Sequence, residues 1–147
     1  MTSAMVILTP KLAYAPALPK VNPELRPIPS RGEGQHIERR LMTVTAYTAG
    51  RESTGKYPWQ KDYCITASGN KAREWYTIAT GPEFDFGTVI YIPYFADKPN
   101  HGVFVVEDRG VSNGCIDVYF GDPAVNKTAV RRSLEFGRRD LKIWIRQ

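Results

Sequence analysis

Hydrophobic and polar positions alternate over several short stretches of this chain. Leu41–Tyr47 puts Val44 and Ala46 on one face and Thr43, Thr45 and Tyr47 on the other, the two-residue period of a half-buried strand. Thr88–Tyr94 is rich in β-branched and aromatic residues and is closed by Pro93. Val103–Glu107 is a continuous apolar run that ends in acids, and Cys115–Phe120 resumes after a Gly/Ser/Asn loop. Leu141, Ile143 and Ile145 alternate with Lys142 and Trp144. Runs of this length, separated by turn residues, predict short β-strands. One helix is predicted between Asp122 and Gly137: Asp122-Pro123 supplies an N-cap and a first-turn proline, and Gly137 a C-terminal stop. Val125, Ala129, Val130 and Leu134 fall near one face of it. Many short strands with one helix predict a mainly β chain closed into a small barrel.

The first forty residues break this pattern. They hold six of the eleven prolines (Pro10, Pro16, Pro19, Pro23, Pro27 and Pro29), and at that density neither a helix nor a central strand is sustained. Ala4–Leu8 followed by Ala13-Tyr14-Ala15 has the apolar core and A-x-A ending of a secretory leader. Lys11 interrupts it, no basic stretch precedes it and Pro16 follows the cut. Residues 1–40 therefore read as a degraded signal or proline-rich tether, and residues 41–147 as the folded domain. A chain of 147 residues accommodates one domain. No window nears 18 consecutive apolar residues, so no transmembrane helix is expected.

Composition adds one refinement. The formal net charge is +5, and all of it lies in Lys127–Gln147, where seven basic residues face two acids; the remaining chain balances. The chain thus has a neutral body with a basic edge, which is either a solvated helix face or a docking surface for an anionic polymer. Nucleic acid is not the expected partner. Two cysteines, Cys64 and Cys115, and two histidines, His36 and His101, make no metal-ligand spacing. The cysteines are either bridged or buried free thiols. No cofactor and no metal are expected.

Phosphate loops, G-x-S-x-G and H-E-x-x-H are all missing from the sequence, which leaves carboxylate chemistry. Val103–Glu107 runs into Asp108-Arg109-Gly110, and Asp117 lies between Ile116 and Val118 with its side chain on the opposite strand face. Pairing of these two strands around the 109–114 loop would bring Asp108 near Asp117. Two close carboxylates in partly apolar surroundings do not both ionise freely, so one becomes a proton donor near neutrality. Glycosidic cleavage needs such a donor together with a nearby negative charge. Among the aromatics, Trp59 and Trp75 lie in polar segments with Lys56, Lys61, Lys71 and Arg73, which makes them candidates for stacking on sugar rings; filling the core is the alternative. Arg109 either holds Asp108 charged, binds a substrate carboxylate or is simply exposed.

Ordered segments carry a resemblance. Thr43-Val44-Thr45-Ala46-Tyr47-Thr48, Ile65-Thr66-Ala67-Ser68-Gly69, Phe86–Pro93, Val106–Gly110 with Ile116–Phe120, and Glu135–Arg139 together resemble the 3D domain. That domain is found in a lytic transglycosylase and in stationary-phase-survival cell-wall proteins. The resemblance covers residues 41–145 and implies a six-stranded double-psi β-barrel with one or two short helices. It also implies lytic transglycosylase activity on peptidoglycan, cutting the bond after N-acetylmuramic acid to leave a 1,6-anhydro ring. Asp108 matches the family's catalytic aspartate, acting first as acid and then as base, and Asp117 matches its strand partner. Tyr47, Thr66, Ser68, Gly69 and Gly110 fall in the matching groove segments. Gly81 stands where the family's third aspartate usually lies, and the loop between Asp108 and Asp117 is shorter than usual. A non-catalytic glycan-binding barrel is the alternative reading. The implied setting is secreted or at the cell envelope, with peptidoglycan strands as partner and a monomer as the expected state.

Overall fold

The computed structural model describes residues 36–146; of the tether expected over residues 1–40, residues 1–35 lie outside them. Six strands form one closed barrel: β1 (Ile37–Tyr47), β2 (Thr77–Thr80), β3 (Val89–Tyr91), β4 (Val103–Asp108), β5 (Cys115–Tyr119) and β6 (Arg139–Arg146). Around the barrel they follow the order β1-β5-β2-β4-β3-β6 and then back to β1. The fold is thus the mainly β, six-stranded barrel expected, with two short helices, α1 (Arg51–Thr54) and α2 (Ala129–Phe136). β1 begins at Ile37 rather than Leu41 because it is held over its whole first half by β6, from Ile37 opposite Arg146 to Val44 opposite Arg139.

Strands β4 and β5 do not pair with each other, which corrects the hairpin expected around the 109–114 loop. β2 lies between them, parallel to β4 and antiparallel to β5. It was missed in the sequence because Thr77-Ile78-Ala79-Thr80 is four residues long and buried throughout, and a strand covered on both faces has no alternation to read.

Val44, Ile78, Ile90, Phe104, Val106, Ile116, Val118, Ile143 and Ile145 fill the barrel. One end is closed by an aromatic cluster, with Phe95 5.5 Å from Phe104, 5.4 Å from Phe136 and 6.3 Å from Phe120. Helix α2 adds Ala129, Ser133 and Phe136 to that plug, a stripe at the i, i+4, i+7 spacing. The longer helix expected from Asp122 is corrected. The Asp122 carboxylate instead caps an isolated turn through the Ala124 N–H, and Asn126 opens the next turn through the Thr128 N–H. Val125, left in that turn, is 85% exposed, and Leu134 lies on the solvent side of α2, 75% exposed.

Candidate active site

The outward face of the barrel carries the acids. Ala79 is the hub of this face, paired with Asp117 of β5 on one side and Asp108 of β4 on the other. A methyl group is all that separates the two carboxylate-bearing positions across β2. Asp108 reaches this face through a β-bulge. Ile78 pairs with Val106 and the next residue, Ala79, pairs with Asp108, so Glu107 is the extra residue and the alternation flips after it. Without the bulge, Asp108 would share the inward side of Phe104 and Val106.

The bulged Glu107 is buried and anchors the loop above it. It accepts from Thr77 Oγ1 at 2.6 Å and Asn70 Nδ2 at 3.1 Å, and Arg73 lies 3.5 Å away. Its backbone carbonyl accepts from the Ser68 N–H. The loop held in this way points the Ala67 N–H at Asp108 Oδ1, 2.9 Å away.

Both oxygens of Asp108 are engaged: Oδ1 by the N–H groups of Ala67 and Arg109, Oδ2 by the Tyr47 hydroxyl at 2.9 Å. Asp117 differs, because the one side-chain donor it receives is Thr45 Oγ1, at 2.9 Å on Oδ1. Burial pushes its pKa up to about 6; the Thr45 hydrogen bond opposes that rise and the charge of Asp108 adds to it. The Tyr47 phenol is raised chiefly by burial, and by the negative charge of both aspartates, so it stays a neutral donor. Asp108 is thus held by three donors and Asp117 by one.

A cavity of about 390 Å³ opens over the pair, lined by Tyr47, Thr66, Ala67, Asp108, Arg109, Gly110 and Asp117 together with Ser53, Thr54 and Lys56. Among the expected residues, Ser68 and Gly69 are not part of this lining. The Ser68 hydroxyl is 3.0 Å from that of Thr66, and Gly69, at φ +86°, forms the turn. Arg109 points away from its neighbour's carboxylate. Its guanidinium donates to the Phe84 carbonyl at 2.7 Å and to Thr80 Oγ1 at 3.2 Å, and lies 4.0 Å from the Phe86 ring. The expected stacking tryptophans are elsewhere. Trp75 packs on Phe95 and Phe120 at the aromatic end. Trp59 stacks on Tyr57 at 4.5 Å and is 78% exposed, outside the cavity lining. Both cysteines are free, and the Cys64 thiol is raised by burial.

Thr45, Ala79 and Glu107 were not anticipated as site residues. Thr45 had a signal, since it shares the outward face of β1 with Tyr47. The bulge that assigns Glu107 and Asp108 to different tasks has none.

Gly81 and the short loop belong together. A Cβ on Gly81 would meet Asn113 Oδ1 at 2.5 Å, its backbone N at 2.8 Å and its Cα at 3.0 Å. The tight 109–114 loop occupies the space that a side chain at position 81 would need. Gly81→Asp is expected to cost about 1–3 kcal/mol, the usual range for overpacking against backbone, measured as a lower urea midpoint at unchanged slope.

The closed barrel thus presents two carboxylates on either side of Ala79 on its outer face, under an open cavity. No family model matches the chain, and no curated protein matches it. Solved structures do. MltA from E. coli aligns at a TM-score of 0.41 with 16% identity, over 56% of this chain and 27% of that one. A second E. coli MltA structure, described as revealing a unique lytic transglycosylase fold, gives 0.40 and 17% over 56% and 27%. The membrane-bound lytic murein transglycosylase from Agrobacterium tumefaciens gives 0.38 and 17% over 56% and 25%. The chain spans about a quarter of the length of these proteins.

Proposed function

We propose that this protein is a lytic transglycosylase that cleaves the MurNAc-β-1,4-GlcNAc bond of peptidoglycan, with Asp117 and Asp108 in separate roles. The observation that carries this reading is the pair of carboxyls across Ala79, Asp108 held by three donors and the more weakly held Asp117 raised by burial to a pKa of about 6. The substrate class comes from the ordered segments that resemble the 3D domain.

Asp117, protonated, gives its proton to the glycosidic oxygen as the C1–O4 bond breaks. The cation that develops at C1 is stabilised by the Asp108 carboxylate. Asp117, now a carboxylate, accepts the proton of the C6 hydroxyl as that oxygen closes on C1, so the acid is regenerated and no water is consumed. The resemblance gives the proton transfers to Asp108; Asp117 is favoured here because burial raises its pKa to about 6 and a single side-chain donor holds it. A protein with this activity works outside the cytoplasmic membrane, secreted or held at the envelope. Among the described residues no helix is long and apolar enough to cross a membrane.

The role of Asp117 fixes a pH dependence. The acid must be protonated in the free enzyme, so kcat/KM is expected to fall about tenfold per pH unit above pH 6. A profile flat from pH 5 to pH 8 would remove Asp117 from this role. The tight fit around Gly81 favours the second reading, a barrel that binds glycan without cutting it. That reading predicts retention on sacculi with no released fragments at any pH.

A further inference from the structure

The outward alternation of β1 does not stop at the aspartates. Tyr47 and Thr45, which bond Asp108 and Asp117, share their face with Thr43, Leu41 and Arg39. The far end of this face is a second cavity, of about 450 Å³, lined by Arg39, Arg40, Leu41, Lys142 and Trp144. Arg39 pairs with Trp144 and Leu41 with Lys142 across β1 and β6. The Arg39 guanidinium lies 5.0 Å from the Trp144 ring, and Tyr91 meets that ring edge-on at 5.3 Å. Tyr91, Trp144 and Arg39 thus form a row across three neighbouring strands.

We infer that this face of β1 and β6 is a distal binding site for the same carboxylate-bearing glycan strand that lies over Asp108 and Asp117. The inference rests on the glycan reading of the aspartate site and adds to it a second point of contact. Three observations support it. The cavity lining has no acid; Arg40 is answered by Glu38 and Glu83, whereas Arg39 and Lys142 have no carboxylate partner among the described residues. Leu41 is 68% exposed beside an aromatic ring, an apolar and aromatic surface of the type that covers sugar rings. The strand connects the two sites without a turn: from Arg39 to Tyr47 is roughly 25 Å at about 3.3 Å per residue, a span that only an extended ligand covers.

The chemistry along this path separates a glycan from a nucleic acid. Between the two sites Thr43 Oγ1 donates to Asp140 Oδ1 at 2.8 Å, a hydroxyl–carboxylate pair suited to sugar hydroxyls. The same Asp140, followed by Asp117 and Asp108, repels a chain of phosphates, which needs an uninterrupted basic track.

The test is binding of glycan strands freed of peptide and fractionated by length, to the full chain and to Lys142→Glu and Trp144→Ala. The wild type is expected to bind long strands about tenfold more tightly than short ones, and both variants to lose most of that preference. Lys142 is exposed, so its substitution keeps the test valid where Trp144→Ala fails to fold. A wild type without length preference, a Lys142→Glu variant that keeps it, or duplex DNA that competes as well as the long strands would overturn the inference. Because the readout is binding, a chain that shows the preference yet cuts nothing refutes the cleavage reading and leaves this one standing.

Discussion

Asp117→Asn is expected to lower the rate of fragment release from sacculi by about 10³-fold, within the range of a positioned general acid, and to make the protein more stable at neutral pH. The two effects have one origin. Folding buries Asp117 between Thr45 and Ala79 and raises its pKa from 3.8 to about 6. Between those values the folded state keeps a proton that the unfolded state has released. The favourable contribution is therefore complete below about pH 4 and is lost as pH rises through 6. Above that, keeping the ionised group in place costs about 2 kcal/mol once its partial exposure is allowed for. Asparagine removes this cost and still accepts the Thr45 hydroxyl. Melting temperatures of the variant and the wild type should diverge at neutral pH, with the variant higher, and converge near pH 4. Activity within a few-fold of wild type, or an unchanged melting temperature at neutral pH, would contradict the assignment. This is the usual tension between stability and a reactive site.

The second large effect concerns a carboxylate that takes no part in the chemistry. Glu107→Ala is expected to destabilise the fold by about 1–3 kcal/mol, the cost of leaving the buried Thr77 hydroxyl without its acceptor. It leaves Thr77 and Asn70 without their acceptor and Arg73 without its counter-charge. It also frees the loop that aims the Ala67 N–H at Asp108. Glu107→Gln keeps the shape and one acceptor oxygen, so it should fold at a smaller cost. Urea unfolding gives the stability loss, and faster amide exchange at Ala67 in Glu107→Gln shows the freed loop. A loss below about 1 kcal/mol in Glu107→Ala, with Ala67 still protected in Glu107→Gln, would mean that the loop stands without this anchor.

The strands with a clear period were legible in the sequence. The outward side of β1, with Thr45 and Tyr47, followed from alternation alone, as did the opposition of Asp117 to Ile116 and Val118. What failed was the relation between strands. Nothing in Thr77–Thr80 signals that it inserts between β4 and β5, because four residues buried on all sides show no periodicity to read. The bulge at Glu107 was equally silent, and it decides that Asp108 faces the cavity while Glu107 holds a loop. Trp75 misled for a related reason: its neighbours in the chain are polar, but its ring packs on Phe95 and Phe120 from elsewhere in the fold. The helix was overextended because Asp122-Pro123 is a sound helix start that here opens only a turn. Gly81 was legible as a missing aspartate, but its cause, Asn113 pressed against it, is a contact between two loops that no local pattern encodes.

Digestion of sacculi by the wild-type chain in water enriched in heavy oxygen tests the proposed chemistry most directly. Mass spectrometry of the released fragments should find 1,6-anhydro-muramic acid termini without incorporated heavy oxygen, since the C6 hydroxyl and not water closes on C1. Reducing termini carrying heavy oxygen would show a hydrolase instead, and sacculi that bind the protein but release nothing would show a binding module.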